Sequence, residues 1–368
     1  IKLQGSQQKR RMKWASIQAK LFRVQMKSLT LTQVQDGGAL LINQLKDIFI
    51  SIVAALEVVE GRMTLGMLLA VQYIIGQLNG PIQQMIGFIR SAQDAKISLD
   101  RLSEVNDAKD EEDPNAQNLT HIPEGAIEIK NVSFKYTEIS DLVLDNVSIT
   151  IPRGKTTAIV GASGSGKTTL VKLLLRFYPI HLGSISVGGI DLQSISLEVW
   201  RSRCGGVLQD GFLFSDTIAN NIAESDDATR LDKVMEALQL ANITDFIQDL
   251  PLQANTMIGA KGNGVSQGQK QRIHIARALY KNPDFLFFDE ATNSLDATNE
   301  KEIVENINAF TKGKTTVIVA HRLSTVKNAD QIIVLDKGKV VEIGNHVSLV
   351  ASKGYYYRLV SDQLSLGQ

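Results

Sequence analysis

The chain has 368 residues, 43% hydrophobic and 21% charged, which fits about two folded domains and excludes a disordered or collagen-like polymer. Thirty-nine Lys plus Arg balance 39 Asp plus Glu, so there is no net basic field to hold nucleic acid, and none is expected as a partner. The single cysteine, Cys204, excludes an intrachain disulfide, a zinc ribbon and a redox dithiol, and reads as a structural thiol suited to a reducing compartment.

Ile1 to Trp14 mix polar and basic residues with no apolar core and no small-residue cleavage site, unlike a signal peptide. Two apolar blocks follow, Leu40 to Val59 and Leu65 to Ile89. Each is about 20 residues, roughly the length that crosses ~30 Å of hydrocarbon as a helix. Both carry polar residues that are costly against lipid: Asn43, Gln44, Lys46, Asp47 and Glu57 in the first, Gln72, Gln77, Asn79, Pro81 and Gln83 in the second. The residues alone leave two readings open, membrane helices whose polar positions face a bundle interior or a water-filled path, and an amphipathic soluble hairpin. Lys9, Arg10, Arg11 and Lys13 add a weak positive-inside signal for the first.

From Asn106 to Pro123 the sequence turns acidic and polar, the composition of an exposed connection. Beyond Ala126, short β-rich runs alternate with helical patterns. Ile127 to Tyr136, Thr156 to Val160, Phe285 to Phe288, Thr315 to Ala320 and Ile332 to Asp336 are predicted strands, and the alternation predicts an α/β domain with a largely parallel central sheet.

The run Thr156 to Val160 leads into Gly161-Ala-Ser163-Gly164-Ser165-Gly166-Lys167-Thr168, followed by Thr169 and a helical pattern through Leu170, Leu173 and Leu174. In a strand, glycine loop and helix of this spacing, consecutive backbone N–H groups turn inward on a phosphate chain and the helix N-terminus adds partial positive charge. Lys167 supplies a full charge to the β and γ phosphates of ATP, and Thr168 a hydroxyl to Mg²⁺. The apolar run Phe285-Leu-Phe-Phe288 ends in Asp289, placed to hold Mg²⁺. Glu290 follows, on the opposite side of an extended chain, as candidate general base for the attacking water. His321 and Gln209 each follow an apolar strand, at the sheet edge where α/β proteins bind ligands. Position alone is as consistent with structural roles for both.

Tyr136 in Val132-Ser-Phe-Lys-Tyr136, the phosphate loop, Val207-Leu-Gln209, Val265-Ser266-Gln-Gly268-Gln269, Phe288-Asp-Glu290, Ser294-Leu-Asp296 and His321, in this order, resemble the nucleotide-binding domain of ATP-binding-cassette (ABC) transporters. The resemblance implies an α/β P-loop NTPase fold with a helical subdomain. It also implies that Tyr136 stacks on adenine, Gln209 senses Mg²⁺ and the attacking water, and His321 contacts the γ-phosphate. The same resemblance implies that Ser266, Gly268 and Gln269 form the signature segment, facing ATP held by a second ABC subunit, and that Asp296 couples the two sites. One departure stands out. Val265 and Gln267 replace the Leu and first Gly of the usual Leu-Ser-Gly-Gly-Gln, and Gln267 crowds the site if its backbone needs φ > 0.

The N-terminal block is similar to the last two membrane helices of an exporter, expected at about 38–59 and 64–90, with Glu60-Gly-Arg-Met-Thr-Leu-Gly66 as the outer turn. The expected organisation is an all-α partial transmembrane domain over 1–105, a linker over 106–124 and the nucleotide-binding domain over 125–368. Gln72 to Asn79 and Ile86 to Ser98 look like peptidase-containing peptide and bacteriocin exporters of bacteria. This likeness implies a homodimer, multi-pass in the inner membrane and in contact with its lipid, with the ATPase in the cytoplasm and a peptide as cargo. It implies further that four more membrane helices and a cysteine peptidase domain precede Ile1. A lipid, drug or other hydrophobic molecule is the alternative cargo, and a soluble regulatory ATPase the alternative of another class.

Overall fold

In a computed structural model of the chain, the described residues are 5–107, 110–112, 118–226, 228–259, 264–291, 297–320 and 326–366. They form two compact units, Ile1–Lys109 and Asp110–Gln368.

The first unit is a helical hairpin of α1 (Gln7–Val59) and α2 (Leu65–Asn106). Both helices run on past the apolar blocks into flanking polar sequence, so hydropathy marks only part of each. Pro81 lies within α2. Among the described residues, both helices are long and apolar enough to cross a membrane. Leu40, Phe49, Tyr73 and Phe88 cover their outer faces and are exposed. Ala54 and Ile75 are buried in the seam. Polar contacts line the same seam. Arg90 donates to Asp36 at 2.9 Å, Lys46 Nζ donates to Asn79 Oδ1 at 2.9 Å, and Gln72 donates to Ser51 Oγ at 2.5 Å. Lys46 also pairs with Asp47 at 3.1 Å, so the charged side chain within the apolar block has both a counter-charge and a neutral acceptor.

In the second unit the elements run β1 (Ile127–Phe134), β2 (Leu144–Ile151), β3 (Thr156–Gly161), α3 (Lys167–Leu174), β4 (Leu182–Val187), β5 (Ile190–Asp191), α4 (Leu197–Ser202), β6 (Cys204–Val207), α5 (Ile218–Ile222), α6 (Leu231–Leu240), α7 (Thr244–Gln248), α8 (Gln267–Tyr280), β7 (Phe285–Asp289), α9 (Ala297–Phe310), β8 (Thr315–Val319), β9 (Gln331–Asp336), β10 (Lys339–Gly344), α10 (His346–Ala351) and α11 (Tyr355–Leu366). Six strands make the central sheet in the order β10-β9-β3-β8-β7-β6, parallel except for β10. The sequence predicted β3, β7, β8 and β9 and their parallel arrangement, but not the edge strand β10 or the bounds of the edge strand β6. It did not predict the separate antiparallel sheet β2-β1-β4-β5, into which the first predicted strand falls.

Strand alternation divides the interior. Phe285, Phe287, Val317, Val319, Ile333 and Leu335 face a core shared with the antiparallel sheet, α3 and Trp200. Leu286, Phe288, Ile318, Ile332 and Val334 face a second core beneath α5, α6, α8 and α9. Side chains of period two sort to opposite faces, and a parallel sheet covered on both faces reads as a continuous apolar run. Cys204 lies in the first core, where burial pushes its thiol pKa up, as expected of an inert structural cysteine.

Candidate nucleotide-binding site

Neighbouring strands β3, β8, β7 and β6 all run the same way, so their C-terminal ends lie side by side. The phosphate loop leaves β3, Asp289 ends β7 opposite Val319 of β8, and Gln209 stands two residues beyond β6 at an exposed turn. One sheet edge therefore gathers three of the predicted segments. His321 belongs to the segment after β8 and, like Asp296, lies outside the described residues.

The loop is shaped by contacts that only glycine allows. Gly161 has φ 154°, and a Cβ there would run into the Leu335 carbonyl of β9. Gly166 has φ 99°, and its Cβ would stand 2.7 Å from Leu144 Cδ2 and 2.9 Å from the Val143 carbonyl. The loop is thus wedged between the two sheets, with α3 starting at Lys167. Lys167 Nζ turns back over the loop and donates to the Gly161 carbonyl at 3.0 Å and the Ala162 carbonyl at 2.8 Å. Burial lowers its pKa, and the carboxylates of Glu290 and Asp289 pull it back up. Ser163 and Gly164 form the exposed crown of the loop, and Ser165 is buried with its hydroxyl unpartnered.

Asp289 is fully buried, and neither carboxylate oxygen accepts a hydrogen bond. Burial raises its pKa, Thr168, Lys167 and Lys172 oppose the rise, and Glu290 adds to it. A buried carboxylate without a donor, beside a half-buried threonine hydroxyl and a lysine, is a donor set that suits a hard divalent cation on a phosphate chain. Glu290 departs from expectation. It has φ 54°, so a left-handed residue, and not the alternation of an extended chain, sets its direction. Its N–H donates to the Val319 carbonyl at 3.1 Å. A non-glycine residue in this region costs about 1 kcal/mol, and such residues concentrate at functional sites.

Tyr136 is half-exposed, and its hydroxyl lies 2.9 Å from that of Thr169, which is buried in α3. Its ring packs against Phe134 and Tyr178. Tyr178 was not singled out in the sequence, because an aromatic residue just past a helix carries no local signal of a site.

In the signature segment, Ser266 caps α8 and its hydroxyl accepts from the Gln269 N–H at 3.2 Å. The Gln269 side chain accepts from the Ser266 N–H at 2.8 Å, completing a capping box. Gly268 lies in the first turn. Gln267 opens the helix with helical backbone and an exposed side chain, so the condition under which it would be strained, φ > 0, is not met.

A strand, glycine loop and helix with a buried acid on the next but one strand define a P-loop nucleotide-binding fold. The family profile described as ABC transporter matches residues 144–293. The second unit is an ABC transporter ATP-binding domain, and the all-helical unit before it corresponds to exporter transmembrane sequence. The chain is 41% identical over 309 residues to the alpha-hemolysin translocation ATP-binding protein HlyB of Escherichia coli, covering 83% of this chain and 44% of that protein. It is 38% identical over 321 residues to a fatty acid ABC transporter ATP-binding/permease protein of Mycobacterium bovis, covering 86% and 50%. The solved structure of a bacterial Atm1-family ABC exporter with ATP bound superposes with a TM-score of 0.90 at 33% identity, covering 99% of this chain and 64% of that one. The chain spans about half the length of the curated relatives it matches.

Proposed function

We propose that the chain is the ATP-hydrolysing portion of a membrane exporter, working as a dimer in the inner membrane with its ATPase in the cytoplasm. The observation that carries this reading is the buried, unpartnered Asp289 carboxylate beside the Lys167 loop, in a chain that also has two membrane-length helices.

In this reading Lys167 exchanges the Gly161 and Ala162 carbonyls for phosphate oxygens, forming charge-assisted contacts stronger than the ones it leaves. Thr168, Asp289 and Gln209 would hold Mg²⁺, which, when bound, neutralises charge developing on the phosphates. Glu290 orients the attacking water and takes its proton, and His321 contacts the γ-phosphate. Tyr136 stacks on adenine. Ser266, Gly268 and Gln269, at the N-terminus of α8, face the nucleotide of the second subunit, and Asp296 links the two sites. In this reading the membrane part spans 1–105, a linker 106–124 and the ATPase 125–368.

Cargo is a peptide or protein in this reading, supported by the identity with HlyB, whose name assigns it to alpha-hemolysin translocation. A hydrophobic cargo has its own support in the similar identity to the fatty acid transporter. The test is Mg²⁺-dependent ATP hydrolysis by the chain purified in detergent, with Lys167→Ala and Glu290→Gln beside it. Lys167→Ala should lose ATP affinity, and Glu290→Gln should keep it while hydrolysis collapses. Turnover of Glu290→Gln within about threefold of the parent would move the base elsewhere.

A further inference from the structure

The rings of Phe134, Tyr136 and Tyr178 form a closed triangle beside the phosphate loop. Centroids lie 5.1 Å apart for Phe134 and Tyr136, 5.1 Å for Tyr136 and Tyr178, and 5.6 Å for Phe134 and Tyr178. Tyr136 meets both neighbours nearly at right angles, at 84° and 85°. This is the arrangement in which the positive edge of one ring meets the negative face of the next. Phe134 is buried at the end of β1, whereas Tyr136 and Tyr178 both keep exposed surface.

The three members come from different places. Phe134 is carried by β1. Tyr178 is carried by the turn that closes α3, where Leu175, Arg176 and Phe177 still donate to carbonyls of that helix. The Tyr136 hydroxyl reaches Thr169, also in α3. Two of the three restraints on Tyr136 therefore come from the helix that starts at the phosphate loop and the turn that follows it.

We propose that Tyr178 is a positioning residue for the nucleobase: it sets the plane of the Tyr136 ring and ties that plane to the loop that holds the phosphates. The inference rests on the reading of Tyr136 as the adenine-stacking residue. Without Tyr178 the Tyr136 ring loses one of its two aromatic neighbours, and a base stacking on it must first order the ring. A ligand with phosphates and no base makes no use of that plane.

The experiment compares binding of ATP and of inorganic tripolyphosphate to the whole chain in detergent, by calorimetry, for the parent, Tyr178→Ala, Tyr178→Phe and Tyr136→Ala. Tyr178→Ala should bind ATP about threefold to tenfold more weakly, the range for a ring pair of this geometry. Its tripolyphosphate affinity should stay within about twofold, because the charged phosphate contacts remain. Tyr178→Phe should restore ATP binding, since the ring and not the hydroxyl does the positioning. Equal losses for both ligands would make Tyr178 a support of the loop and overturn the inference. Parent-like ATP affinity in Tyr178→Ala, with weakened affinity in Tyr136→Ala, would overturn it while leaving the role of Tyr136 standing. Parent-like affinity in both would remove the role of Tyr136 and the inference with it.

Discussion

The imidazole of His274 occupies the space a side chain at Gly211 would need: a Cβ on Gly211 would stand 2.6 Å from its Nε2. Gly211 lies two residues past Gln209, and His274 lies in the middle of α8, so helix and segment are packed backbone to ring. Arg277, one turn on, adds bonds to the Asn221 carbonyl at 2.6 Å and the Phe212 carbonyl at 2.9 Å. Gly211→Ala should therefore destabilise the chain by about 1 to 3 kcal/mol, the cost of overpacking a close contact. His274→Ala in the same background should recover part of the loss. Thermal unfolding of both single variants and the double variant checks this, and strict additivity would contradict it.

His274 also sets a pH dependence. Burial, then Arg277 and Lys270, lower its pKa from 6.5 to about 4, against an upward pull from the Gly211 backbone. Between these values the unfolded chain carries a proton on this residue that the folded chain does not. Stability therefore rises with pH across the window, is fully present above it, and is lost as pH falls from 6.5 toward 4. Over the whole window the effect is on the order of 3 kcal/mol. Chemical denaturation at intervals from neutral pH to about pH 5 should show a slope in the parent that flattens in His274→Gln.

Asp289→Asn should raise stability while abolishing Mg²⁺-dependent hydrolysis. The carboxylate is buried without a donor, and its raised pKa means that folding works against its charge above the ordinary carboxylate range. Removing the charge should stabilise the chain by about 1 kcal/mol or more. A variant that is less stable than the parent would show that the charge is compensated.

In the helical hairpin, Asn79→Leu removes the acceptor of Lys46 but leaves its pairing with Asp47, and should cost about 0.6 to 2 kcal/mol. Asp47→Leu takes away the counter-charge and should cost more, about 2.5 to 3.5 kcal/mol if the lysine stays within the hydrocarbon. Unfolding in detergent that ranked the two variants in the reverse order would remove Asp47 as the principal partner.

Gln267→Gly should leave ATP turnover within about tenfold of the parent, a barrier change of roughly 1.4 kcal/mol, because Gln267 already has the backbone of a helix start. A larger gain would show that the side chain obstructs the nucleotide.

The phosphate loop, its flanking strand and the acid at the end of β7 were legible because each is a short local pattern. The antiparallel sheet was not. Its strands β1 and β2 pair with register shifts between Ile129 and Val132 and again before Phe134, which breaks the simple alternation a sequence reading looks for. The left-handed backbone of Glu290 was invisible as well, since nothing in the residue type announces it. His274 and Tyr178 acquire their roles only from distant neighbours, Gly211 in one case and the β1 rings in the other.

The strand that carries the buried acid is also a ruler. β7 hands Phe285 and Phe287 to one core, Leu286 and Phe288 to the other, and then ends on Asp289. Deleting one residue from it would send β7 side chains to the opposite core and draw the carboxylate back by about 3.3 Å, the rise of a single strand residue. The place where Asp289 stands and the way the interior is filled are thus two readings of one count, and neither can be varied alone.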